Sequence, residues 1–113
     1  MANLKENPTL KDLQKFVAEI CKERGFDKNS HLEEFLLFSE EVGELAKAIR
    51  NETKLYKEVG KSGKEHAKFE LEEEFNDVLI YLVSLANKFE IDLEKAIRKK
   101  EKVNKKRAWA KKE

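Results

Sequence analysis

Several acidic residues fall at spacings that would set carboxylates side by side. In SEEVGEL, Ser39 to Leu45, Glu41 and Glu44 stand three apart with Glu40 beside them; in ELEEEFNDVLIYL, Glu70, Glu74, Asp77 and Tyr81 step by four, three and four. On a helix such steps stack side chains in one line, with Cβ atoms about 5–6 Å apart. Leu37, Glu41, Glu44 and Ala48 make a first line of this kind and Glu70 to Tyr81 a second, each bordering an apolar face. If the two helices pack antiparallel through these edges, Glu41, Glu44, Glu74 and Asp77 converge. Two like charges about 4 Å apart repel by about 4 kcal/mol at an effective dielectric of about 20, so the cluster requires protons, water or cations. An all-oxygen set suits Mg²⁺, Mn²⁺ or Ca²⁺ rather than zinc or copper. A di-iron bundle would instead use Glu-x-x-His pairs, and the residues three before His31 and His66 are Lys28 and Gly63. With 23 acidic residues in the chain, some pairs at this spacing arise on solvated faces by chance. Spacing therefore leaves a metal site and a solvated charged face both open.

The elements that must hold these residues read as four helices. Leu10, Leu13, Phe16, Val17, Ile20 and Cys21 recur at helical steps between a Thr9 cap and Gly25, which makes Cys21 a small core residue. Ser30 with Glu33 forms a capping-box pattern that opens a second helix reaching about Asn51. The polar stretch from Asn51 to His66, with Gly60 and Gly63, reads as a loop. A third helix, about Glu65 to Phe89, contains DVLIYLVSLA, apolar almost all round its circumference. Three neighbouring helices of a small bundle cover only part of such a surface, so a second subunit is expected to cover the rest. The fourth helix follows Asp92 and runs through Ile97 and Val103 toward a basic end. No β-type alternation is present. The expected architecture is all-α, a four-helix bundle-like subunit that oligomerises through the third helix.

A chain of 113 residues is the size of one domain, and residues 1–113 are read as one. Charged residues make up 42% of it yet nearly cancel to a formal +1, so no overall field recruits nucleic acid or a membrane surface. KKEKVNKKR is interrupted by Glu101, and no aromatic interleaving precedes Trp109, which reads as a packing or interface anchor. A single cysteine and an N-terminus without an apolar run point to a cytoplasmic protein with neither disulfides nor a membrane anchor.

These motifs resemble the MazG-like nucleoside triphosphate pyrophosphohydrolases, all-α enzymes marked by E-E-x-x-E followed, after a spacer, by E-x-x-D. Glu40, Glu41 and Glu44 match the first part, Glu74 and Asp77 the second, and Tyr81 matches an aromatic one turn past the aspartate. AIRKKEKVNKKR is similar to the family's terminal K-x-x-x-N-x-x-R through Lys100, Asn104 and Arg107. Ala108 and Trp109 then stand where the family often has tyrosine and proline.

The resemblance implies hydrolysis of a nucleoside triphosphate to the monophosphate and pyrophosphate, with Mg²⁺, or Mn²⁺ in its place, on Glu41, Glu44, Glu74 and Asp77. Such chemistry is positioning plus electrostatics and requires no nucleophilic side chain. Glu40, turned about 100° from Glu41, is the candidate to orient or deprotonate the attacking water, and equally a solvated salt-bridge partner. Lys100, Asn104 and Arg107 would meet phosphate oxygens, although cations at a helix C-terminus also serve its macrodipole. Tyr81 is divided between core packing and nucleotide contact. The apolar surface of DVLIYLVSLA makes the expected assembly a homodimer or homotetramer. Two rivals stand beside this reading: phosphoribosyl-ATP pyrophosphohydrolase, a branch that EEVGEL resembles less, and a non-enzymatic helical interaction module.

Overall fold

The structure, a computed structural model, describes residues 1–53 and 64–110. Helix α1 spans Leu10–Arg24, α2 His31–Thr53, α3 Lys64–Lys88 and α4 Leu93–Asn104, with a short 3₁₀ turn, Phe26–Lys28, between α1 and α2. No strand occurs among the described residues, in keeping with the all-α expectation. Helix ends fall within a few residues of where the caps put them. The expected loop from Asn51 to His66 is shorter at both ends, and residues 54–63 of it lie outside the described residues.

The boundaries have local causes. Thr9 Oγ1 accepts the amide of Asp12 at 3.1 Å while the Asp12 carboxylate accepts the Thr9 amide at 2.9 Å, a reciprocal box that opens α1. Ser30 and Glu33 repeat the arrangement at α2, at 3.1 and 3.0 Å. Each acid is held below its usual range, first by the backbone amide it accepts. Gly25 closes α1 at φ 79°, a conformation that side chains with a Cβ rarely adopt. The 3₁₀ turn that follows carries no periodicity signal in the sequence. At the end of α3 the left-handed position falls to Glu90, φ 56°, and the Ile91 amide bonds back to Ala86 O at 2.9 Å, which turns the chain into α4.

Helices α2 and α3 form the principal packing pair, α1 lies across α3, and α4 packs on α1. Val17, Cys21 and Val83 are the centre of a small core, with Leu13, Phe16, Ile80 and Leu93 against it. Cys21 is buried, as its core reading expected. A polar clamp joins α1 to the α3–α4 turn. Gln14 Nε2 donates to Asn87 Oδ1 at 2.9 Å and to Ile91 O at 2.8 Å, and its Oε1 accepts the Leu93 amide at 2.9 Å. His31 ties the start of α2 to the end of α3, its ring tilted 50° against Phe89 with centroids 4.5 Å apart.

Helix α3 is covered on one side. Val83 and Ser84 are buried, whereas Leu79 and Leu82 stay 46% and 45% exposed and Phe75 is 55% exposed. On α2, Phe35 and Leu36 are likewise more than half exposed. The run that reads as apolar all round therefore leaves an uncovered apolar face on this chain.

Candidate metal centre and adjoining cleft

Two contacts define the register of α2 against α3. Glu34 meets Ser84 near one end, and Glu41 meets Glu74 and Asp77 farther along, so ascending numbers on α2 meet descending numbers on α3. The helices are antiparallel, and the two acidic lines face one another across their seam.

Glu41, Glu74 and Asp77 converge there, each partly buried, each offering one oxygen within 4.8 Å of the others. Burial raises the Glu41 carboxyl above its usual range, and the charges of Asp77, Glu74, Glu40 and Glu44 add to the effect. Glu74 is raised as well, first by burial and then by Asp77, Glu44 and Glu73, partly offset by a hydrogen bond with Glu41. Glu74 Oε2 is buried with no hydrogen-bond partner among the described residues. A buried acceptor left in this state is costly. An all-oxygen donor set with an orphaned carboxylate oxygen fits a hard divalent cation.

The remaining expected site residues divide. Glu44 is exposed and stands outside the close group of three, although its charge reaches both Glu41 and Glu74. Glu40 is exposed beside Glu41. Tyr81 is half-buried, with its phenol pushed up by burial and by Glu41, Glu34 and Asp77, so it stays a neutral donor at neutral pH. Lys100 and Asn104 lie on α4, with Arg107 just beyond it. None of the three lines the cleft at the carboxylates. The Asn104 carbonyl accepts Trp109 Nε1 at 2.9 Å, and Trp109 itself is 71% exposed.

Beside the carboxylates opens a cleft of about 280 Å³ with Glu41, Asp77 and Tyr81 on its wall. Farther in, the wall includes Glu34 and Ser84. Glu34 was not singled out by the sequence reading, yet it is 0% exposed. The signal was present in the numbering. Glu34 precedes Glu41 by seven residues and Ser84 follows Asp77 by seven, two helical turns in each case, so both continue the acidic lines.

The raised carboxyls have a consequence for stability without metal. A carboxyl whose folded value lies above its unfolded value of 4.5 binds protons more tightly in the fold, so stability falls as pH rises through the window between them. Glu41→Gln removes one such group. In chelator, the variant is expected to melt above the wild type at neutral pH, with the difference shrinking as pH falls toward 4.5. Thermal melts across that range check it; a variant less stable at every pH contradicts it.

Human dCTP pyrophosphatase 1 is 37% identical over 105 residues, covering 88% of this chain and 59% of the relative. The mouse and rat proteins of the same name are each 38% identical over 104 residues, with the same coverage. The chain thus spans about three fifths of the length of the curated relatives it matches. The MazG nucleotide pyrophosphohydrolase domain matches residues 29–109, a stretch that holds α2, α3, α4 and every carboxylate of the seam, and the chain belongs to that family.

Proposed function

We propose that this chain hydrolyses a nucleoside triphosphate to the monophosphate and pyrophosphate, using a divalent cation, Mg²⁺ by preference and Mn²⁺ as a substitute. The observation that carries the reading is the convergence of Glu41, Glu74 and Asp77 within 4.8 Å. These three would hold the cation, with Glu44 at the rim as a further acid able to reach it. When bound, the cation supplies charge neutralisation for the triphosphate and a lowered pKa for water. Glu40 is exposed next to the group and would take a proton from the attacking water. Tyr81 would donate its phenol hydroxyl to a phosphate or sugar oxygen. The relatives are named for dCTP, which makes a deoxycytidine substrate the first to try.

Lys100, Asn104 and Arg107 retain a phosphate-binding role in this reading, and a neighbouring copy is what would carry them to the cleft, since within the chain α4 packs on α1. A homodimer or homotetramer is supported independently by the uncovered apolar face of Phe35, Leu36, Phe75, Leu79 and Leu82. The lone buried Cys21 is compatible with a reducing cytoplasm. No described helix is long and apolar enough to cross a membrane. Pyrophosphate together with a nucleoside monophosphate as products would distinguish this activity from a phosphoribosyl-ATP hydrolase, and either from a module that only binds partners.

Asp77→Asn keeps the shape of the side chain and removes the anion. It is expected to leave helix content and melting near wild type while pyrophosphate release falls at least ~100-fold, the scale of several kcal/mol of transition-state stabilisation. Glu70→Gln, two turns earlier on the same helix and outside the close group, should cost far less. Near-normal hydrolysis by Asp77→Asn would remove the carboxylate from the reaction. Light scattering at micromolar concentration should report a dimer or tetramer, and a folded monomer would refute the assembly.

A further inference from the structure

Glu34 is fully buried and sits on α2. It forms no ion pair among the described residues. Its surroundings are built to donate to it. Ser84 gives its hydroxyl proton to Oε1, Asn29 Nδ2 donates to Oε2 at 3.2 Å, and Cys21 Sγ donates in turn to Ser84 Oγ at 3.4 Å, which directs the Ser84 proton toward Glu34. A carboxylate has about four acceptor sites, and these bonds use two. Glu34 lies on the wall of the cleft that also contains Arg24, Glu41 and Asp77.

The spacing gives that acceptor a place in the site. Glu34 lies two turns from Glu41, and Ser84 two turns from Asp77, about 10 Å along each helix. That separation is comparable with the span from the α-phosphate of a nucleotide to the far edge of its own base. Between the two polar levels, Ile80 and Tyr81 line the cleft, and Ile20 and Phe26 add apolar wall, a lining suited to the faces of an aromatic ring.

We infer that Glu34 is a specificity residue that reads the base, accepting a hydrogen bond from an exocyclic amino group and so selecting nucleotides with an amino-bearing base over uracil and thymine. The inference rests on the pyrophosphohydrolase reading for the placement of the phosphates. Cytosine presents N4–H₂ as a donor. Uracil presents a carbonyl oxygen at that position, which would face a carboxylate oxygen with no proton between them, and its N3–H is flanked by two such carbonyls. A buried polar site discriminates strongly when the wrong ligand leaves its groups unmatched.

The test uses the full chain with Mg²⁺ and two substrates that differ at this edge, dCTP and dUTP. Wild-type kcat/KM is expected to favour dCTP at least ~10-fold, and Glu34→Gln, whose amide can donate to the uracil carbonyl, should lower that ratio at least ~10-fold. A wild-type ratio near one overturns the inference. So does a variant that slows both substrates equally, because that is the behaviour of a structural residue. If Glu34→Gln fails to fold, calorimetry of dCMP and dUMP binding to the wild type decides: tighter dCMP supports the role of Glu34 and equal affinities refute it. Should the wild type hydrolyse neither triphosphate, the pyrophosphohydrolase reading fails while the same monophosphate comparison still judges Glu34.

Discussion

Repulsion among carboxylates at the α2–α3 seam is the constraint around which this small protein is arranged. Three acidic oxygens within 4.8 Å of one another would cost at least about 3.5 kcal/mol for each fully ionised pair at an effective dielectric of about 20. Glu41 and Glu74 respond by holding their protons more tightly. A domain of this size is stable by only 5–15 kcal/mol, so the repulsion is a sizeable fraction of the whole. It is tolerated because the antiparallel packing of two long helices, tied toward the end of α3 through His31 with Phe89 and Glu34 with Ser84, leaves the acids no easy way apart. A divalent cation would turn the same arrangement from a cost into a source of stability.

Much of this is legible in the amino-acid sequence. Thr9 with Asp12 and Ser30 with Glu33 are local devices whose partners lie three residues away, so their helix starts follow from sequence alone. The acidic pairs were readable for the same reason, since i and i+3 fixes their proximity on one helix. What the spacing left open was the meeting of two helices, which depends on packing over a long separation along the chain. The structure brings three of the four expected carboxylates into one group and leaves Glu44 at the rim.

Glu34 escaped notice because a single glutamate near a helix start looks like a residue that favours the macrodipole, and burial is not a property of one position. Its place on the Glu41 line is legible in the numbering, but its burial shows only through the partner Ser84, distant in sequence. Lys100, Asn104 and Arg107 present the opposite case. Their motif is legible, but α4 docks on α1 through Gln14 and Leu93, and a motif carries no information about which copy of a chain it serves. The exposed Phe75, Leu79 and Leu82 are the physical reason to look to a neighbouring copy.

The central claim is that Glu41, Glu74 and Asp77 form a cation site, and titration calorimetry with Mg²⁺ at matched ionic strength tests it without reference to any reaction. The account predicts saturable binding that weakens as pH falls, because protons compete with metal for Glu41 and Glu74, whose carboxyls the fold raises above their usual range. Affinity should fall at least ~10-fold in a folded Glu74→Gln variant. Absence of saturable binding by the wild type, or an unchanged affinity in Glu74→Gln, would contradict it.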